Sequence, residues 1–270
     1  MPIERLELPC RLSQQDFNDF ARLSGDHNPI HVDPAFAART PFGATVSHGM
    51  LLYSRLQGAL LRAMPGAVVA AQQLMFPAPS YADEDLTLIL ERSSGDGDGD
   101  GDGEAKRVLM QVRKADGRLG LDGEAWLETP RAARLSDRSA AGDVPATALP
   151  RFQSLARGQT VIQERVFNVA DLATWAGLAG LSRAPETVPG PLIGALFSYL
   201  LGERLPGHGT NYLKQSLDFH DTARPDEPLR AAVTISRLRG DKALVDLDTS
   251  CHGADGRTLC SGRALVRFHH

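Results

Sequence analysis

The sequence predicts an α+β protein made of two tandem units, each with one long buried helix followed by four strands. Two long apolar helical stretches, "SHGMLLYSRLQGALLRAMPG" (47–66) and "GPLIGALFSYLLGERLPG" (190–207), are each followed by four strand-like runs. The two series keep step. Gly49 and Gly190 stand 141 positions apart, as do Pro65 and Pro206, and "ADEDL" (82–86) answers "PDEPL" (225–229) at an offset of 143. The repeat, about 130 residues, is too long for a solenoid unit and right for a domain. With 270 residues and 42% hydrophobic content, the chain can bury two such cores.

In the first unit, Ser47 is the expected N-cap of the long helix and Pro65-Gly66 its stop. Within it, Arg55, Gln57 and Arg62 are the strongly polar positions, and a helix so apolar on most sides is normally wrapped by other structure. The strand-like runs that follow are "AVVAAQQLMF", "DLTLILERS", "KRVLMQVRKADG" and "LGLDGEAWLETP". Between the second and third lies "GDGDGDGDG" (95–103). Asp96, Asp98, Asp100 and Gly101 match the start of a Ca²⁺ loop, but its twelfth position is Arg107 where a bidentate Glu is needed. The stretch reads as a hairpin tip. Residues 131–150, rich in Ala, Ser, Arg and Pro, have no apolar period and read as a linker between domains 1–130 and 151–270. The second unit's strands read as "NYLKQSLDF", "EPLRAAVTISRLRG", "KALVDLDTSCHGADG" and "RTLCSGRALVRF".

Charge and cysteine usage exclude several classes. The net charge is -4, the pI is about 6.1, and no Lys/Arg run occurs, so no nucleic-acid partner is expected. Cys10, Cys251 and Cys260 lack metal-site spacing; Cys251 and Cys260 flank a hairpin and are expected to be reduced. The first residues lack an apolar signal core, and no run approaches the ~18 apolar residues of a membrane span. A cytoplasmic protein without a membrane partner is expected.

The chemistry concentrates in "GDHNPIH" (25–31). His27 and His31 are spaced i, i+4, but Pro29 lies between them and favours a helix that starts at Asn28-Pro29. That places His27 before the helix and His31 in its first turn, which argues against a shared metal. Capping explains Asn28-Pro29 and, for a second short helix, Asp33-Pro34. It leaves Asp26 and His31 without a structural reason.

"FARLSGDHNPIHVDPAFAA", followed by "SHGMLL", resembles the hydratase 2 motif of MaoC-like dehydratases and (R)-specific enoyl-CoA hydratases. The residues that carry the likeness are Ser24-Gly25-Asp26, Asn28-Pro29-Ile30-His31, Asp33 and His48-Gly49. The resemblance implies a tandem (double) hot-dog fold, in which each antiparallel sheet wraps a long central helix. It implies that Asp26 and His31 position and activate a water, and that the Gly49 N–H binds the thioester carbonyl. Asn28 and His48, with Tyr53 and Gln57 on the helix, are the expected substrate-binding residues, and Leu56 is expected in the core. The substrate implied is an acyl thioester of CoA or of acyl carrier protein, with no metal or redox cofactor needed. A non-catalytic acyl-thioester-binding scaffold and a hot-dog thioesterase are the alternatives. A thioesterase would carry a carboxylate on or beside the central helix, and residues 48–64 hold no Asp or Glu.

The second unit departs from the motif. Gly25 to Gly49 spans 24 residues, whereas the matching Gly180 to Gly190 spans 10. Leu181 stands where Asp26 would, the His31 position is missing, and Pro189 replaces His48. The second unit is therefore expected to be non-catalytic and to shape the acyl pocket. Pairing of the two units within one chain is expected, with a homodimer of such chains left open.

Overall fold

The structure, a computed structural model, describes residues 4–92, 106–127 and 152–268. The Asp-Gly tip at 95–103 and the linker at 131–150 lie outside the described residues. In chain order the elements are β1 (Arg5–Cys10), α1 (Gln14–Ser24), α2 (Pro29–Val32), α3 (Pro34–Ala37), α4 (Gly49–Ala63), β2 (Val69–Met75), β3 (Leu86–Arg92), β4 (Lys106–Lys114) and β5 (Leu119–Leu127). There follow β6 (Thr160–Val166), α5 (Val169–Ala179), α6 (Gly190–Tyr199), β7 (Thr210–Phe219), β8 (Pro228–Arg239), β9 (Leu244–His252) and β10 (Thr258–Phe268). The α+β expectation is met. Two helices, α4 and α6, carry fully buried residues such as Leu51, Leu56, Leu60, Leu192 and Phe197. Each such side chain contributes roughly 1.5–3 kcal/mol on burial.

The ten strands of the described residues join one antiparallel sheet in the order β1-β3-β4-β5-β2-β7-β10-β9-β8-β6. The first five come from the first repeat and the last five from the second, so the seam is β2 against β7. Its register, Gln72↔Leu217 and Leu74↔Gln215, turns about an axis between Gln73 and Ser216. Gln72 and Gln215, 143 positions apart like the repeat, meet across it: Gln72 Nε2 donates to Gln215 Oε1 at 2.7 Å. Both amides are buried. In the same cluster Gln215 Nε2 donates to the Tyr212 hydroxyl at 2.9 Å. The pair links the two halves by a buried hydrogen bond on the same seam as the backbone ladder. Elsewhere the repeat survives in backbone detail: Asp83 and Asp226, the matching residues of "ADEDL" and "PDEPL", both take positive φ (58° and 65°). Cys251 and Cys260 are register partners on β9 and β10, and both are buried.

Four elements go beyond the sequence reading: β1 and β6, which pair with β3 and β8, and the helices α1 and α5. Both helices begin with a capping box, Ser13 with Asp16 and Asn168 with Asp171, and end at a left-handed glycine, Gly25 (φ 83°) and Gly180 (φ 75°). Two helix ends are corrected. Ser47 is not the cap: its N–H donates to Ser80 O at 2.8 Å, which ties it to the chain before β3, and α4 starts at Gly49 with His48 at the cap position. The second long helix does not run regularly to residue 207. It is α-helical to Tyr199 and widens into a π turn over Leu200–Arg204, where the Leu205 N–H reaches back five residues to Leu200 O at 2.8 Å.

The halves also meet helix to helix. Trp175 Nε1 on α5 donates to Ser54 Oγ on α4 at 3.0 Å, and the Arg62 guanidinium donates to Gly180 O at 2.5 Å, satisfying the carbonyl end of α5. Among the described residues no helix is long and apolar enough to cross a membrane.

Candidate active site

Gly25, in the left-handed region that ends α1, turns the chain inward and delivers Asp26 to a buried position (2% exposed). Asn28 then caps α2: its Oδ1 accepts from Ile30 N at 3.3 Å, with Pro29 at the first helical position. Asp33 caps α3 in the same manner, accepting from Phe36 N at 2.9 Å. The 14 residues by which the first repeat exceeds the second between its two aligned glycines thus hold α2, α3 and part of the following loop.

That turn brings His31 toward Asp26. His31 Nδ1 lies 2.7 Å from Val46 O. A carbonyl only accepts, so Nδ1 carries a hydrogen, and Nε2 is the ring nitrogen left for other partners. The His48 ring stacks on that of His31, centroids 3.8 Å apart and planes 28° from parallel, and its Nε2 donates to Asp26 O at 2.9 Å. Ligand atoms of Asp26, His31 and His48 all lie within 4.8 Å of one another, a spacing that a metal ion could use. The orientation argues otherwise. A ligated metal lies in the plane of its imidazole, and two rings stacked face to face do not converge on one such point. The arrangement suits proton handling. His27, the other histidine of the motif, is exposed.

His48 is fully buried, and this burial, more than its neighbours His31 and His27, pushes its pKa well below the ordinary 6.5; the bond to Asp26 O opposes the shift. It therefore packs as a neutral ring. In the unfolded chain His48 binds a proton near pH 6.5, whereas in the fold it does not. Its contribution is complete above pH 6.5 and is lost as pH falls below that, at up to about 1.4 kcal/mol per pH unit. Urea unfolding from pH 7.5 to 5.0 should show wild type losing stability more steeply than His48→Gln. Parallel curves would refute the neutral assignment.

Asp26, Asn28, His31 and Gly49 line one cavity of about 140 Å³. Gly49 opens α4 with no side-chain cap, so its first N–H groups have no intrahelical partner and the positive end of the dipole faces the cavity. The Phe76 ring lies against it: a β-carbon built on Gly49 would sit 2.6 Å from Phe76 Cε1. Tyr212 packs on Phe76 at 5.6 Å. Lys114, its side chain 1% exposed, donates to Pro79 O, pairs with Glu84 at 3.1 Å and lies over Tyr81, holding the chain segment 77–80 that walls the cavity.

Three expected substrate-binding residues stand elsewhere. Tyr53 and Gln57 are buried and do not line this cavity, and His48 lies behind His31 without lining it. Leu56 is core, as expected. In their place the second half supplies Ser198, Leu201, Gly202, Thr210, Asn211 and Tyr212. The sequence carried a signal for this. Ser198 stands 141 positions after Gln57, so it occupies the matching position of the second repeat. The seam at β2–β7 places the end of α6 on the first repeat's motif. A larger concavity, about 1000 Å³, lies on the outer face of the sheet and contains none of these residues.

The sequence profile of the family described as "MaoC like domain" matches residues 4–113. The chain is 33% identical over 129 residues to an (R)-specific enoyl-CoA hydratase of Aeromonas caviae, covering 47% of this chain and 93% of that one. It is 46% identical over 128 residues to a 3-hydroxybutyryl-CoA dehydratase of Methylorubrum extorquens, covering 46% of this chain and 77% of that one. Over 99% of its length it superposes on 97% of a Mycobacterium tuberculosis protein described as having a double hotdog fold, with a TM-score of 0.70 at 14% identity. The fold is the double hot-dog.

Proposed function

Because the chain belongs to the family of MaoC-like dehydratases and (R)-specific enoyl-CoA hydratases, we propose that Asp26, His31 and the Gly49 N–H are its catalytic groups. The enzyme is a hydro-lyase: it adds water to 2-enoyl thioesters in the (R) sense, or removes it from (3R)-hydroxyacyl thioesters. The observation that carries the site assignment is the convergence of a buried carboxylate, an imidazole with a free Nε2 and an uncapped helix N-terminus on one cavity.

Asp26 and His31 hold one water between them. As its oxygen bonds to C3, one of the pair takes one of the water's protons, and that same proton is then delivered to C2 on the same face, the other staying on the new hydroxyl. The electron pair of the C2=C3 bond passes through the thioester as an enolate. The Gly49 N–H and the α4 dipole stabilise that oxyanion. Asn28 orders the turn that presents His31, and His48 supports both partners from behind. No covalent bond to the enzyme forms in this scheme. Residues 1–130 form the catalytic domain and 151–270 the domain that completes the acyl pocket, joined by 131–150. The acyl group is carried on CoA or on the phosphopantetheine of a carrier protein.

The test is loss of enoyl absorbance when the purified protein is mixed with crotonyl-CoA and longer 2-enoyl thioesters, on CoA and on carrier protein. A thiol reagent run in parallel detects hydrolysis. We expect hydration without thiol release. A protein inert on every thioester, or one that releases thiol instead, refutes the reading.

A further inference from the structure

We propose that Ser198, from the second repeat, is a positioning residue for Asp26. The inference rests on the reading of Asp26 as one of the two proton-handling groups. Ser198 lies in the last turn of α6, and its hydroxyl donates to Asp26 Oδ2 at 3.4 Å. The other carboxylate oxygen, Oδ1, accepts from the Asn28 backbone N–H, also at 3.4 Å. Rotation of a carboxylate about its last torsion is broad and nearly two-fold, so neither oxygen is aimed by rotamer preference alone. A donor on each oxygen, one from each repeat, sets the plane of the group. That plane decides where the lone pairs point, and a misaimed base loses rate even when substrate still binds.

The placement follows from the fold. The π turn after Tyr199 widens the end of α6 over the motif loop. Gly202 within that turn approaches Asn28: a β-carbon built there would stand 3.6 Å from Asn28 Nδ2. Ser198 is only partly buried and faces the cavity it helps to line. The matching residue of the first repeat, Gln57, is buried with its Oε1 unpartnered and serves no such carboxylate, since Leu181 stands at the aligned position. The half that lost its own acid and base thus lends a hydroxyl to the half that kept them.

The experiment uses the full-length chain and 2-enoyl-CoA hydration. Ser198→Ala should lower kcat about tenfold, with KM within twofold of wild type and the melting temperature within about 2 °C. Ser198→Thr should recover most of the rate, and Ser198→Val, which matches Thr in shape, should not. In an Asp26→Asn background, Ser198→Ala should change the residual rate less than twofold, because the two residues act as a unit. Wild-type turnover in Ser198→Ala overturns the proposal, as does equal activity of the Thr and Val variants or an undiminished tenfold loss in the Asp26→Asn background. If Asp26→Asn itself turns over normally, the reading of Asp26 falls. If Asp26→Asn is inactive while Ser198→Ala is normal, only the role of Ser198 falls.

Discussion

Asp26→Asn and His31→Ala should each lower kcat for enoyl-thioester hydration by about 10³-fold, roughly 4 kcal/mol of lost transition-state stabilisation. Asparagine keeps the shape of aspartate, and its amide oxygen can still accept from Asn28 N, but it cannot take a proton from water. Alanine at 31 removes Nε2 together with the bond to Val46 O. KM should stay within a few-fold in both variants, because the oxyanion site at Gly49 and the rest of the cavity wall are unchanged. The double variant should be little worse than either single one, since two groups on one water do not contribute independently. Steady-state kinetics on crotonyl-CoA, with circular dichroism to verify folding, decides the matter. Either variant within tenfold of wild type would remove that residue from the catalytic pair.

The largest stability effect is expected at Gly58. This glycine lies in the middle of α4, where helix propensity alone favours alanine by about 1 kcal/mol. Tertiary contact reverses the sign. A β-carbon at Gly58 would lie 1.9 Å from the backbone oxygen of Ala179 and 2.8 Å from its carbonyl carbon, so no rotamer can relieve the clash. α4 and α5 would have to separate, straining the Trp175–Ser54 and Arg62–Gly180 bonds that join the halves. Gly58→Ala should cost about 3 kcal/mol net, at the upper end for overpacking, and lower the melting temperature by roughly 6–12 °C. Gly58→Val should not yield soluble folded protein. A melting temperature for Gly58→Ala at or above wild type would show that propensity wins and that the helices yield freely.

Much of the candidate site was legible because it is local. Asn28-Pro29 and Asp33-Pro34 cap their helices through bonds of two or three residues' reach, and such bonds form wherever the sequence places them. Once capping had accounted for those four residues, Asp26 and His31 remained, and the structure places both in one cavity. The ends of the long helices were less legible. Ser47 has the right chemistry for a cap, but its N–H is bound to Ser80 on a distant segment. The regular period of the second helix gave no sign of the π turn at Leu200. β1 and β6 are short, with alternating half-exposed patterns, and become strands only because β3 and β8 offer an edge to pair with.

By itself the sequence determined the duplication, the two buried helices, the eight strands that follow them, and a motif present in one copy and shortened in the other. Each is a matter of periodicity or short-range bonding, which a linear order carries in full. The tertiary structure decided which copy of α4 or α6 completes the site. Two equivalent repeats look the same whether each helix serves its own loop or its partner's. The antiparallel seam of β2 on β7, crossed by the buried Gln72–Gln215 pair, resolves this by turning one repeat about the other. It sends Gln57 away from the cavity and brings Ser198 to Asp26, because a two-fold pairing exchanges the helix ends between the halves.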